Sequence, residues 1–235
     1  MKKISVFCAA IAPLFLVVGC GGGGGGDTPS TPSSVPVTNF PLQAAYKARV
    51  ASGVVDNFAV SGSCSGTASS TTSSPVASSF EGASAFASMQ TFIVNFTNCS
   101  PSSNAVTVTS YYDTNYTSLG SSVAGAEYSK YLTPPNPLPA TVRVGDTGVY
   151  GTVTIYTDST KSVSTGQRAQ SYVIEADTPT TAIANFISKS YNSIGQLTST
   201  QQSRYRIAGD GSLTTVSIDV QYSLTSTNRL VYTKQ

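Results

Sequence analysis

The sequence predicts a mainly β protein: an antiparallel meander of about ten strands forming a barrel, half-barrel or sandwich, with one short N-terminal helix. Three observations carry that expectation. Over most of the chain apolar and polar residues alternate with period two, as in Phe92, Val94, Phe96 and again in Val216, Ile218, Val220, Tyr222. The alternating runs are separated by compact turn clusters such as Asp158-Ser159, Thr178-Pro179, Gly209-Asp210-Gly211 and Thr227-Asn228, and short turns make consecutive strands antiparallel neighbours. About ten strands in one open, strongly twisted sheet would curl or split, so the sheet must close or divide.

The helix comes first. Leu42, Ala45, Tyr46 and Val50 make one apolar stripe, with Pro41 at its start and Gly53 just past its end. Lys47 and Arg49 read as dipole partners on a solvated face. Alternation then runs from Phe58 through Val60, Gly62 and Cys64 to Gly66. The Ala/Ser-rich stretch holding Phe80 and Phe86 reads as a strand plus a turn. Val106 to Tyr112 is a strand ended by Asp113-Thr114-Asn115, and Val123 to Leu132 is a weaker one. Thr133 to Pro139 holds several prolines and must be an extended connection, because proline removes ladder donors. Strands are expected at about 149–157, 169–176, 182–191, 197–207, 213–222 and 229–233. A membrane-spanning barrel is disfavoured: Ser199, Gln201 and Ser203 alternate with Thr200, Gln202 and Arg204, which leaves neither face apolar.

Ahead of this lies a different kind of sequence. Met1-Lys2-Lys3 precedes an apolar run from Ile4 to Val18, too short for a transmembrane helix, and six glycines, Gly21 to Gly26, follow Cys20. The expected organisation is a signal peptide over 1–19, a Gly/Ser/Thr/Pro-rich tether over 20–38 and a single β-rich domain over 39–235. As a flexible coil the tether spans roughly 20–25 Å. Lys2 and Lys3 account for the whole formal charge of +2, so the remaining side chains balance. With charged residues at 10%, no basic stripe suggests a nucleic-acid partner.

Val17-Val18-Gly19-Cys20 resembles the lipobox of bacterial lipoproteins. The resemblance implies cleavage before Cys20, a diacylglycerol on its thiol and acylation of the new amino group. It also implies an outer-membrane address in a Gram-negative envelope, since Gly21 rather than Asp follows the cysteine. Cell-envelope anchoring through lipid on Cys20 is therefore the expected partnership with a membrane. The tether, the helix around Tyr46-Lys47-Ala48, Gly62-Ser63-Cys64-Ser65-Gly66 and Tyr131-Leu132-Thr133-Pro134-Pro135 together resemble poly-Gly lipoproteins of Gram-negative bacteria, a likeness that brings no activity with it. Cys8 leaves with the signal. Cys64 and Cys99 remain as one pair in an oxidising compartment, where a disulfide closing a loop of about 36 residues is expected.

The chain has no histidine and no tryptophan. Without imidazole there is no Ser-His-Asp triad, no Cys-His dyad and no His-based metal site, so neither cofactor nor metal is expected. Gly62-Ser63-Cys64-Ser65-Gly66 has the outline of a nucleophile elbow but no base to activate its cysteine. Carboxylate pairs remain as a route to glycan hydrolysis, with Glu175 and Asp177 on one strand face. Asp56, Glu81, Asp113, Glu127, Asp146, Asp158, Asp210 and Asp219 complete the acids of the domain. Among the thirteen tyrosines, Tyr111, Tyr112, Tyr116, Tyr128 and Tyr131 are candidates for stacking on a sugar or lining a pocket mouth, although strands favour tyrosine for packing alone. The leading expectation is a non-enzymatic interaction or structural lipoprotein of the envelope. A lipid- or small-ligand-binding barrel is the alternative, and a carboxylate-pair hydrolase comes third.

Overall fold

The computed structural model describes residues 37–223 and 228–235. The proposed signal peptide and Cys20 lie outside the described residues. One helix, α1 (Leu42–Ala51), precedes thirteen strands. These are β1 (Val54–Gly62), β2 (Gly66–Thr72), β3 (Val76–Phe80), β4 (Ala83–Phe96), β5 (Ser103–Tyr112), β6 (Ser118–Val123), β7 (Glu127–Tyr131), β8 (Thr147–Tyr156), β9 (Ser164–Thr178), β10 (Thr181–Asn192), β11 (Leu197–Ala208), β12 (Leu213–Tyr222) and β13 (Arg229–Lys234). All pairings are antiparallel, and β4 to β13 follow one another as a meander. The chain ends meet where β13 pairs with β1 and β2 pairs with β4, which closes a barrel of twelve strands. Of the three shapes the sequence allowed, the barrel is the one formed.

Two local differences from expectation have clear causes. The alternation from Phe58 to Gly66 is not one strand but a hairpin, turning at Ser63–Ser65. Gly62 makes the exit: its φ of +107° is one that L side chains rarely adopt, and a Cβ there would run into the Arg229 carbonyl. The weak strand expected over 123–132 is a turn at Ala124–Ala126 followed by the short strand β7, and β6 ends at Val123 where that strand was expected to begin.

Register fixes what faces inward. Val54, Asp56, Phe58 and Val60 of β1 point into the barrel, as do Ser199, Gln201, Ser203, Tyr205 and Ile207 of β11. The outward set is mostly polar, with Thr67, Ser69 and Thr71 on β2, Thr107 and Thr109 on β5, and Gln202, Arg204 and Arg206 on β11, while Val55, Met89, Ile93 and Val149 are exposed apolar exceptions. Ion pairs Arg204–Glu175 at 3.2 Å and Arg206–Asp177 at 2.6 Å cross that outer surface. A wall of this kind is the reverse of the apolar outer band of a membrane barrel.

The interior is filled in layers. At one mouth α1 packs its buried stripe, Leu42, Ala45, Tyr46 and Val50, against Tyr112, Ile174, Ala182, Ala184, Tyr205 and Ile207. At the other, Phe58, Phe92 and Tyr232 form an aromatic trio with ring centroids 5.2–6.4 Å apart. Cys64 and Cys99 are joined in a disulfide that packs on this trio's cluster and ties the β1–β2 turn to the β4–β5 loop, with Cα atoms 5.8 Å apart. Between the two apolar layers lies a polar one, where Gln90 Nε2 donates to Ser70 Oγ at 2.8 Å and Gln201 Nε2 to Ser203 Oγ at 3.0 Å.

Strand β3 is not part of the barrel. It extends β4 as a hairpin that folds onto the outer wall, where Phe80 stacks on Tyr128 and Tyr111 at 5.7 and 4.7 Å. Gly120 lies directly beneath; a Cβ there would stand 2.7 Å from Phe80 Cζ. Replacing Gly120 by Ala should cost about 1–3 kcal/mol through overpacking, and Cys64→Ala with Cys99→Ala about 3–4 kcal/mol through the freed loop. Denaturant unfolding of each variant checks both values; a loss below half a kcal/mol contradicts the corresponding contact.

Candidate functional site

The helix that plugs the barrel also shapes its mouth. Pro41 precedes α1, and Phe40 pairs with Val142 across the opening. Arg49 is buried rather than on a solvated face, which corrects the sequence expectation: it lies four residues after Ala45 and three after Tyr46, so it falls in the helix's own buried stripe, while Ala44 and Ala48 stay exposed. The guanidinium donates to Leu213 O at 2.9 Å and Thr215 Oγ1 at 3.0 Å, and stands 4.7 Å above the Tyr205 ring. Thr215 passes the contact to Asp56, which also accepts from Lys234. Burial lowers the Arg49 guanidinium to about 9 and raises Asp56 from its ordinary value, with Lys234 and Arg49 opposing that rise.

A cleft of about 200 Å³ opens beside α1 at this mouth. Its walls are Gln43, Tyr46 and Lys47 on the helix, Asn115–Thr117 from the β5–β6 turn, Pro137 and Leu138 from the β7–β8 connection, and Tyr150 of β8. Residues 43, 46 and 47 share one helix side because positions three and four apart are neighbours there. Gln43 Nε2 donates to Leu138 O at 3.1 Å, which fastens the helix to the connection. Asp113 Oδ1 accepts from the backbone N–H of Asn115 and of Thr117, each at 2.8 Å, and so rigidifies the turn. That turn holds Tyr116 at φ +60°, an outlier for a bulky side chain, with its ring 5.8 Å from Phe86.

Below the cleft is a smaller cavity of about 70 Å³, walled by Tyr112, Tyr131, Gln170, Gln201 and a ring of serines that includes Ser110, Ser129 and Ser203. Tyr46 and Tyr150 line both spaces and so mark the boundary between them. Burial raises the Tyr46, Tyr112, Tyr131 and Tyr150 phenols above the ordinary value, so all four are neutral hydrogen-bonding groups. Arg168 closes the cavity's inner side. Its charge is matched by Glu127 at 3.1 Å, and its Nε donates to Ser190 Oγ at 3.3 Å.

The candidate tyrosines divide. Tyr116 borders the mouth cleft, Tyr112 and Tyr131 line the inner cavity, and Tyr111 and Tyr128 lie on the outer wall beneath the β3–β4 hairpin. The sequence reading did not single out Lys47 or Tyr150 as wall residues; for Lys47, the 43/46/47 spacing was the available signal. The carboxylates are engaged elsewhere. Glu175 and Asp177 each hold an arginine, Asp56 holds Lys234, Asp219 holds Arg229 and Glu127 holds Arg168. Asp113, Asp146, Asp158 and Asp210 cap the backbone of their own turns. Cys64, centre of the elbow-like sequence, is consumed by its disulfide. Among the described residues no cluster of three or more Cys, Asp or Glu has the geometry to hold a metal.

Glu81 forms a clasp at the hairpin tip. It accepts from Lys130 at 2.7 Å, from Lys161 at 2.8 Å and from the Tyr128 hydroxyl. The two lysines and that hydroxyl hold its carboxyl at about 2 against an ordinary 4.5. A folded-state value below the unfolded one stabilises the fold above pH 4.5, and the stabilisation is lost as pH falls toward 2. Solvent screening keeps it to about 1 kcal/mol or less.

No described protein family, no curated protein and no solved structure matches the chain.

Denaturation midpoints between pH 5 and 2.5 should fall more steeply for the parent protein than for Glu81→Gln, and 1 M NaCl should shrink the difference. Equal slopes contradict the clasp.

Proposed function

We propose that the chain is a lipid-anchored protein of a bacterial envelope, held at the outer membrane by acyl chains on Cys20, whose barrel acts by binding rather than by catalysis. The single observation that carries the non-catalytic reading is the engagement of its acid groups. The chain has no histidine, the commonest general base, and the carboxylates of the domain are committed to arginines, lysines or their own turns. The polar outer wall supports the anchoring reading. A wall carrying Thr, Gln and Arg lacks the continuous apolar band of a membrane barrel, so acyl chains on a tether would supply the attachment.

A second reading, a ligand-binding barrel, is favoured in one of its two forms. An acyl chain needs a long apolar cavity, whereas the inner space here is only about 70 Å³, with serine hydroxyls set among apolar and aromatic side chains. That volume suits a few waters. The mouth cleft of about 200 Å³ suits a small polar ligand better than a lipid.

The anchoring reading is tested by fractionation. The parent chain should pellet with membranes and partition into detergent, and Cys20→Ala should appear in the soluble envelope fraction. A Cys20→Ala chain that still sediments with membranes overturns the lipid anchor. Robust turnover by the detergent-purified protein in a broad hydrolase screen overturns the non-catalytic reading.

A further inference from the structure

We infer that the mouth cleft binds a polyhydroxylated ligand of monosaccharide size carrying one negative charge, of the uronic-acid class. This rests on the small-ligand form of the non-catalytic reading and sharpens it to a substrate class. The volume is the first constraint. At about 200 Å³ the cleft falls below the roughly 300–1,000 Å³ of pockets that take drug-sized molecules, and it is open enough to admit one ring rather than a chain.

The wall chemistry is the second. Tyr116 and Tyr150, with the mostly buried Tyr46 behind them, supply aromatic surface with polar tips, the combination that packs on the C–H face of a sugar while meeting its hydroxyls. Gln43 and Asn115 add amides that both donate and accept, which suits vicinal hydroxyls. Charge is the third. Lys47 is the cation of the lining, no carboxylate shares the wall with it, and no ion pair engages it among the described residues. A neutral sugar leaves that ammonium unused; an acidic one meets it.

Preorganisation is the fourth. Tyr116 is kept in a left-handed conformation that costs of order 1–3 kcal/mol, and the turn around it is over-determined by Asp113. Packing alone does not require this, because a tyrosine in an ordinary turn conformation could cover Phe86. The strained conformation sets a half-exposed ring at the rim of the cleft.

The test uses the mature full-length protein in detergent, with D-glucuronate, D-glucose and acetate as probes in saturation-transfer NMR and calorimetry. Glucuronate should bind saturably in the millimolar range or tighter, at least fivefold tighter than glucose, and acetate should not compete at equal concentration. Lys47→Gln, a half-exposed change that leaves the core alone, should erase the preference for glucuronate over glucose. Tyr116→Ala should weaken both sugars at least fivefold, and Asn115→Ala serves in its place if that variant does not fold. Tri-galacturonate that binds more tightly than D-galacturonate identifies the source as a polymer, and equal binding of the two identifies it as the free sugar. Glucose binding as tightly as glucuronate overturns the charge assignment while leaving a small-ligand cleft. Acetate competing fully shows an anion site without sugar recognition, and overturns the proposal. No saturable sugar binding, or binding indifferent to all three variants, overturns the site and leaves the anchoring and non-catalytic readings to their own assays.

Discussion

The width of the barrel is the constraint from which the rest follows. Eight strands enclose a space that inward side chains can fill, and sixteen or more leave a channel. Twelve strands lie between, so side chains on the wall cannot meet across the middle unaided. This protein fills the gap with α1 at one mouth, an aromatic trio braced by the Cys64–Cys99 bridge at the other, and a hydroxyl layer between them. Arg49 makes the plug directional. Its buried guanidinium reaches the β12 backbone and, through Thr215, Asp56 and then Lys234, links the first element of the domain to its last strand.

The same constraint places the site. A plug thinner than the barrel leaves room on one side of itself, and that room is the cleft between α1, the β5–β6 turn and the β7–β8 connection. The short strands β6 and β7 wall the inner cavity, and the β3–β4 hairpin covers their outer surface. Phe80 over Gly120 and the Glu81 clasp thus thicken the wall where the barrel is thinnest.

Much of the fold was legible in the sequence because the second half of the chain obeys local rules. β10 to β13 fall within a residue or so of their predicted bounds, since alternation and turn residues agree there. The first half hides its turns. Cys64 stays in phase with Phe58 and Val60, so the hairpin at Ser63–Ser65 is invisible to periodicity and is marked only by Gly62. The stretch around Phe80 and Phe86 carries small residues on both faces, because one face of a strapped hairpin lies on protein and the other on solvent. Arg49 belongs to the buried stripe by its own spacing, four after Ala45 and three after Tyr46, but only the closed barrel supplies the Leu213 carbonyl and Thr215 hydroxyl that let a guanidinium lie there. The cleft was illegible as a unit, as its walls come from residues 43–47, 115–117, 137–138 and 150, which closure of the barrel alone brings together. Tyr116 stands out by composition and Lys47 shares a helix side with Gln43 and Tyr46, while Tyr150 carries no local signal of a shared site.

The plugged barrel is tested most directly by native-state hydrogen exchange on the full chain. If α1 belongs to the same cooperative unit as the wall, the amides of Tyr46, Arg49 and Val50 will exchange with an opening free energy equal to that of Ser203 and Tyr205 in β11. Helix amides that exchange orders of magnitude faster, while the β11 amides stay protected, would contradict the claim that α1 holds the barrel filled.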